Sequence, residues 1–226
     1  MHVHLQCDFQ VRLHRLLPAF PWVIVPTSGR SVIRRRGFDR VLAPGQQLVV
    51  APFEPIELLL DGRYKQPAAC AVEVQSDMPG DLGESALYRA ISQRVFLQPQ
   101  QAWDASYLSR LLDMPALEIR RKLFTQGYAL TDIRRTQRLM RALFEVVQRS
   151  NRASDLKRCI GWPVHGDLES AFHDRFGVSL LTAERLSGVK ALSQMDALPA
   201  LHRQMPRWND GTLGSGVRAV GAHASR

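Results

Sequence analysis

Cysteine is scarce in this chain, and what there is does not form a framework. Cys7, Cys70 and Cys159 are odd in number and far apart, which argues against a disulfide scaffold and suits a reducing compartment. No uninterrupted apolar run approaches ~18 residues, the least that a membrane-spanning helix needs. The opening MHVHLQCDFQ lacks the basic-then-apolar order of a secretion signal. Signs of enzyme chemistry are missing as well. There is no glycine-rich nucleotide loop, no clustered carboxylates and no serine, histidine and aspartate in a recognisable context; His14, His173 and His202 stand isolated. No repeat recurs at a solenoid period. The expectation is a cytoplasmic protein that is not an enzyme and carries no cofactor.

What the chain does have is positive charge. Its 226 residues carry a formal net charge of +9, and 45% of them are apolar, enough for a packed core. A balance this basic suits a polyanionic partner, nucleic acid before an anionic membrane, with a solvated basic surface as the plain alternative. The charge is uneven. Residues 103–149 hold nine Lys and Arg against five Asp and Glu, whereas residues 152–186 hold five of each.

Periodicity divides the chain. Short β-branched runs, Val23–Val25, Ser31–Ile33, Leu48–Val50, Ile56–Leu60 and Ala69–Val74, alternate with turn signals at Ser28–Gly29, Gly37–Asp39, Pro44–Gly45 and Asp61–Gly62. Strands at this spacing predict an antiparallel sheet or small barrel. The character changes at a polar loop, Ser76–Gly83. Beyond it Leu87, Ala90, Ile91 and Val95 recur at helical spacing. That helix either packs on the sheet or pairs with its copy. After Leu186 the pattern fades into a tail rich in glycine.

The most telling stretch is LSRLLDMPALEIRRKLFTQG, Leu108–Gly127. One helix, capped by Asp104, carries Leu108, Leu111 and Leu112 on one face. Asp113, Met114 and Pro115 break it. A second helix turns Ile119 and Leu123 inward beside Arg120, Arg121 and Lys122, and Gly127 ends it. A long helix follows over about 131–149, with Ile133, Leu139 or Met140, Leu143, Val146 and Val147 inward and Arg134, Arg135, Arg138 and Arg141 on other faces. Two short helices with a tight turn, the second one basic, are how a helix is set into a DNA major groove.

These residues carry a resemblance. LSRLLDM, IRRKL, QG and the linking helix with Arg138, Leu139 and Ala142 resemble the two-subdomain DNA-binding region of the AraC/XylS family of bacterial transcription regulators. Farther on, IGW (Ile160–Trp162) and AFHDRFGVS (Ala171–Ser179) resemble that family's second helix-turn-helix. The second unit departs more. Lys157 stands where a small buried Ala is usual, Pro163 and Gly166 fall near the start of the second recognition helix, and Leu180 replaces a common Pro. The resemblance implies DNA-facing positions Ala116, Leu117, Arg120 and Arg121 in the first unit, and His165 and Ser170 in the second. There Asp167 and Glu169 make an acidic face that repels phosphate. The first unit is thus expected to read DNA and the second to be degenerate.

The run RGFDRVLAPGQQLVVAPFEPIEL (Arg36–Leu58) resembles the strand–PG–strand pattern of cupin-like domains. No metal is expected there, because Ile56 stands where such a motif offers His. His2, His4 and Cys7 are a weak alternative for zinc. Glu54, Glu57 and Arg63 either orient a polar ligand or are solvated charges; Arg34–Arg36 suggest phosphate, though at a hairpin edge such a run more often protects an edge strand from pairing. The fold class expected is α+β: an N-terminal antiparallel cupin-like β domain (1–78) that senses or dimerises, a linker with an amphipathic helix (79–100), an all-α double helix-turn-helix domain (101–187, its units at 104–127 and 153–186), and a flexible tail (188–226). The resemblance implies double-stranded DNA as partner, with a small-molecule effector, RNA polymerase and a second copy of the chain as further candidates. The rival expectation is a family member that no longer reads DNA and acts as a protein-interaction adaptor.

Overall fold

A computed structural model describes residues 1–63, 66–75, 87–149 and 153–187. The Ser76–Gly83 loop and the tail after residue 187, both expected from sequence, lie outside the described residues. The chain divides into two units, Met1–Leu192 and Ser193–Arg226, and every described element belongs to the first.

Eight strands come first: β1 (His2–Cys7), β2 (Gln10–Leu16), β3 (Trp22–Ser28), β4 (Arg30–Arg35), β5 (Phe38–Leu42), β6 (Leu48–Val50), β7 (Ile56–Asp61) and β8 (Ala68–Val74). They form two four-stranded antiparallel sheets in the orders β1-β8-β3-β6 and β2-β7-β4-β5. Consecutive strands β1 and β2 go to different sheets, as do β3 and β4, which is how an eight-stranded jelly roll is laid down. Alternation decides the faces. In β1, Val3, Leu5 and Cys7 are buried while His2 is exposed and His4 half-buried. The Cys7 thiol therefore points away from both histidines, donates to the Phe9 carbonyl at 3.2 Å, and makes no zinc site with them.

The first strand marked in the sequence is Val23–Val25, so β1 and β2 were missed. It also set the β4–β5 turn one residue late. The turn is Arg36–Gly37, both at positive φ (52° and 83°), while Phe38 and Asp39 already belong to β5. Positive φ at both central residues gives the twist that a two-residue hairpin needs. Arg34 and Arg35 do not guard an edge, since β4 is flanked on both sides by β7 and β5. Arg34 pairs with Asp39 at 2.7 Å, and Arg35 and Arg36 both pair with the buried Glu54. Glu57 is likewise taken up by Arg12 and His14, and Arg63 by Asp61.

Seven helices follow among the described residues: α1 (Leu87–Leu97), α2 (Ala105–Leu112), α3 (Ala116–Thr125), α4 (Leu130–Arg149), α5 (Ala153–Cys159), α6 (Leu168–Phe176) and α7 (Leu180–Glu184). None of the described helices is long and apolar enough to cross a membrane. The apolar face of α1 is buried inside the chain, with Val95 and Ile91 in one core and Phe96 in another. That face is not free to meet a second copy.

The helices divide between two cores. The larger joins both sheets to α4, α5, α6 and α7, where Trp22 meets Phe144 edge-on at 5.3 Å. The smaller gathers Leu87, Ile91 and Val95 of α1 with Trp103, Leu108, Ile119, Leu123 and Ile133. So α2 and α3 rest on a core of their own, while α5–α7 are part of the β region's core. One correction concerns α4. Arg138, expected on an outer face, is buried. Its guanidinium donates from Nε to the Pro99 carbonyl and from Nη2 to the Gln101 carbonyl, each at 2.9 Å.

Candidate nucleic-acid interface

The α2–α3 pair is built by local rules that the sequence states openly. Asp104 is the N-cap of α2, and its carboxylate accepts from the Tyr107 N–H at 2.7 Å. Leu108 faces inward. At the far end Asp113 takes the left-handed conformation, φ 48°, which a short polar side chain tolerates better than most. Pro115 then occupies the N-cap of α3, where an absent N–H costs nothing. Ile119 and Leu123 are almost wholly buried. The helix closes in a Schellman arrangement: Tyr128 N–H donates to the Leu123 carbonyl and Gly127 N–H to that of Phe124, both at 2.9 Å, with Gly127 at φ 80°.

With Ile119 and Leu123 turned in, the opposite face of α3 is turned out. Arg120 and Arg121 are exposed, Ala116 is half-buried at the start of the helix, and Leu117 is 79% exposed. Neither arginine has a salt bridge or side-chain hydrogen bond among the described residues; the ion pair of this helix is Lys122 with Glu118 at 3.3 Å. Two uncommitted guanidiniums therefore stand on one helical face, beside a cleft of about 680 Å³ that runs from α3 to the start of α4. Phe124, 81% exposed, and Tyr128 also line it. Sequence reasoning passed these two over. The spacing 117, 120, 121, 124 is itself a helical stripe and would have marked Phe124, whereas Tyr128 lies past the end of α3 and no helical spacing reaches it. Tyr128 is held by Tyr88 of α1, the rings stacked 3.5 Å apart. Burial first, then Tyr128, pushes the Tyr88 hydroxyl up to about 12.

The second unit is arranged differently. His165 is exposed but lies in the loop before α6, since the helix begins only after its N-cap Asp167. Pro163 and Gly166 account for the late start. Ser170 is exposed in the first turn, its N–H donating to the Asp167 carboxylate at 2.9 Å. Departures from the family pattern now have partners. Lys157 ties the loop down by donating to the Val164 carbonyl at 3.2 Å. Leu180 N–H, which a proline would lack, donates to the Glu169 carboxylate at 3.1 Å. Helix α6 buries Leu168, Ala171, Phe172 and Phe176 and rests on β2. A Cβ at Gly177 would come within 2.6 Å of the His14 ring, and Arg15 Nε donates to the Arg175 carbonyl at 3.1 Å. Thus the six positions expected to face DNA are split: four stand on α3, and two on a unit fastened to the sheets.

A β-rich N-terminal region that continues into a helical half, with one helix pair standing on its own core, defines the architecture. This chain shares the fold of ToxT from Vibrio cholerae. The P21 form of ToxT matches with a TM-score of 0.60 at 7% identity, over 83% of this chain and 99% of that one. Unsaturated fatty acid-bound wild-type ToxT matches at 0.59 and 7%, over 84% and 96%. ToxT bound to (E)-4-(8-methylnaphthalen-1-yl)but-3-enoic acid matches at 0.56 and 8%, over 81% and 98%. No family model matches the sequence. Nor does any curated protein match it in sequence.

Proposed function

We propose that this chain is a sequence-specific DNA-binding transcription regulator of the AraC/XylS type, in which the α2–α3 pair (104–127) is the reader and the second unit (153–186) a degenerate support. The observation that carries this reading is the outward face of α3, where Leu117, Arg120 and Arg121 project from a helix pair with its own core. An arginine so placed can take guanine O6 and N7 bidentately, and Leu117 can touch a thymine methyl. The likeness of fold to ToxT supports the architecture that this reading needs. In this reading residues 1–78 sense or dimerise, 79–100 connect, and 101–187 bind the operator. RNA polymerase and a second copy of the chain are its further partners. The sequence implies a small-molecule effector as well, and two ToxT structures hold carboxylic acids.

The test is duplex binding by fluorescence anisotropy, using DNA from upstream of the chain's own gene over a range of KCl. Arg120→Ala and Arg121→Ala should each cost about 1–3 kcal/mol. A variant that loses a phosphate contact should also flatten the log–log salt slope by about 0.9. Ser170→Ala should change little. Equal losses at all three positions would contradict the division between the units, and no binding even in dilute buffer would overturn the regulator.

One observation favours a second reading. Leu117 and Phe124 expose apolar surface on the same face, which suits a protein-interaction adaptor. Such an adaptor would keep its partner and ignore duplex DNA in the same titration.

A further inference from the structure

Three arginines from three different elements meet at a cleft of about 410 Å³ between β2, α4 and α6. Arg15 reaches it from a break in the β2 register between Leu13 and Leu16, where its own φ is 48°. A bulge of this kind bends a strand and re-aims a side chain, and a non-glycine residue held at positive φ needs a surrounding structure that fixes it. Arg135 comes from α4 and Arg175 from α6. None of the three has a carboxylate within ion-pair distance among the described residues, although Asp132 and Asp174 line the same cleft. Arg15 commits its Nε to the Arg175 carbonyl and keeps its other donors. The Nε of Arg175 is buried with no acceptor among the described residues. Burial above all, then the charge of Arg15, holds the Arg175 guanidinium below its ordinary value; Tyr88 acts the other way, and Arg135 adds to the lowering. Three guanidiniums against two carboxylates leave the cleft with an excess of positive charge, and an anion placed among the arginines lowers the cost of gathering them.

The remaining polar lining narrows the chemistry. Asp132 and Asp174 can accept from hydroxyls, and Thr136 can donate or accept. The size is that of a metabolite site. The space between the strands and α4, beside Val3, Leu13, Leu58 and Phe144, is about 20 Å³, room for no more than a water. We propose that the cleft binds a compact anion, a phosphate or carboxylate carried on a hydroxylated small molecule, and that it is the effector site of the regulator, an assignment that rests on the reading above. The ligand would touch β2, α4 and α6 at once. It would thereby bear on the helix that continues from the DNA-reading pair.

The experiment is isothermal titration of the full chain with inorganic phosphate and, separately, with citrate, against chloride at matched ionic strength. Phosphate, citrate or both should bind saturably and chloride should not. A response to phosphate alone identifies a phosphorylated ligand, and one to citrate alone a hydroxy-acid. Arg15→Gln and Arg135→Gln, both at exposed positions, should each weaken binding at least about tenfold. Arg175→Gln should do the same, and melting curves identify any variant that has lost its fold. No saturable binding of either anion, or binding unchanged in both Arg15→Gln and Arg135→Gln, overturns the site. The duplex titration separates the two readings. A chain that binds duplex but neither anion keeps the regulator and loses the cleft, while one that binds the anion in an Arg15-dependent way but no duplex keeps the cleft and loses its role as effector site.

Discussion

Replacing Arg138 by methionine should weaken the fold more than any exposed arginine could. The methionine would fill most of the same space and remove the charge. What is lost are two charge-assisted bonds, to the carbonyls of Pro99 and Gln101, each 2.9 Å long. Bonds to a charged donor contribute about 1.5–3 kcal/mol apiece. Against this stands relief of a buried charge. Burial first, and then Arg134, holds the guanidinium below its ordinary value, so part of the loss is returned. A net cost of about 2–4 kcal/mol follows, a large share of the ~5–15 kcal/mol that holds a domain together. At ~2–4 °C per kcal/mol for a domain of this size, the melting temperature should fall by about 4–16 °C. The same residues hold the α1–α2 connection in place. Trp103 is buried there, and its indole N–H donates to the Gln98 carbonyl at 2.8 Å. Near-ultraviolet circular dichroism should therefore report the loss alongside the melt. Arg138→Lys, a point charge unable to bridge both carbonyls, should fall between the two. A melting point within about 2 °C of the parent would mean that water serves these carbonyls as well as Arg138 does, and would refute the reasoning.

Two further outcomes follow from other parts of the fold. Gly161→Ala should destabilise by about 2–4 kcal/mol in urea unfolding, combining the left-handed backbone with overpacking: φ there is 64°, and a Cβ would stand 2.5 Å from the Pro99 carbonyl oxygen and 2.8 Å from Gln100 Cα. An unchanged midpoint would show that this turn gives way freely. Burial pushes the Cys70 thiol up to about 12 from 9.0. The folded chain therefore keeps a proton that the unfolded chain releases, and this contribution to stability, complete below pH 9, is lost as pH rises toward 12. Cys70→Val should flatten the alkaline decline between those limits, and a slope identical to the parent's would rule the thiol out as its source.

The helix pair was legible because its signals are local. A capping Asp104, a Pro115 at the next start, a Gly127 at the end and Leu108, Ile119 and Leu123 at helical spacing each act within a turn of chain and do in the structure what their chemistry predicts; Leu111, expected on the inward face with Leu108, is instead exposed, because the short α2 buries little beyond Leu108. The strands β3, β4, β6, β7 and β8 were legible for the same reason. The strands β1 and β2 carry a different signal, Val3, Leu5 and Cys7, then Val11 and Leu13, alternating with His, Gln and Arg, and a reading led by β-branched runs passed over it. What could not be read were meetings between distant segments. Nothing in TQRLM (Thr136–Met140) foretells that Arg138 will be swallowed by the Pro99 and Gln101 carbonyls, nor that α6 will settle on β2. The arginine cleft is of that kind too, since Arg15, Arg135 and Arg175 come together only through the fold. Glu54, Glu57 and Arg63 were open between ligand and solvent, and the structure gives a third answer in ion pairs within the sheets.

Helix α4 spans twenty residues, Leu130–Arg149, about 30 Å of rod. Its first turns contribute Ile133 to the small core, and its later turns contribute Leu139 to Val147 to the large one. A protein cut before residue 101 to isolate the helical half would leave Phe144, Leu143 and Val147 facing water with the strands gone. Such a fragment should clump or partly melt where the intact chain stays dispersed. The division of labour proposed between the β region and the α2–α3 pair is not a division of folding: both rest on one spine.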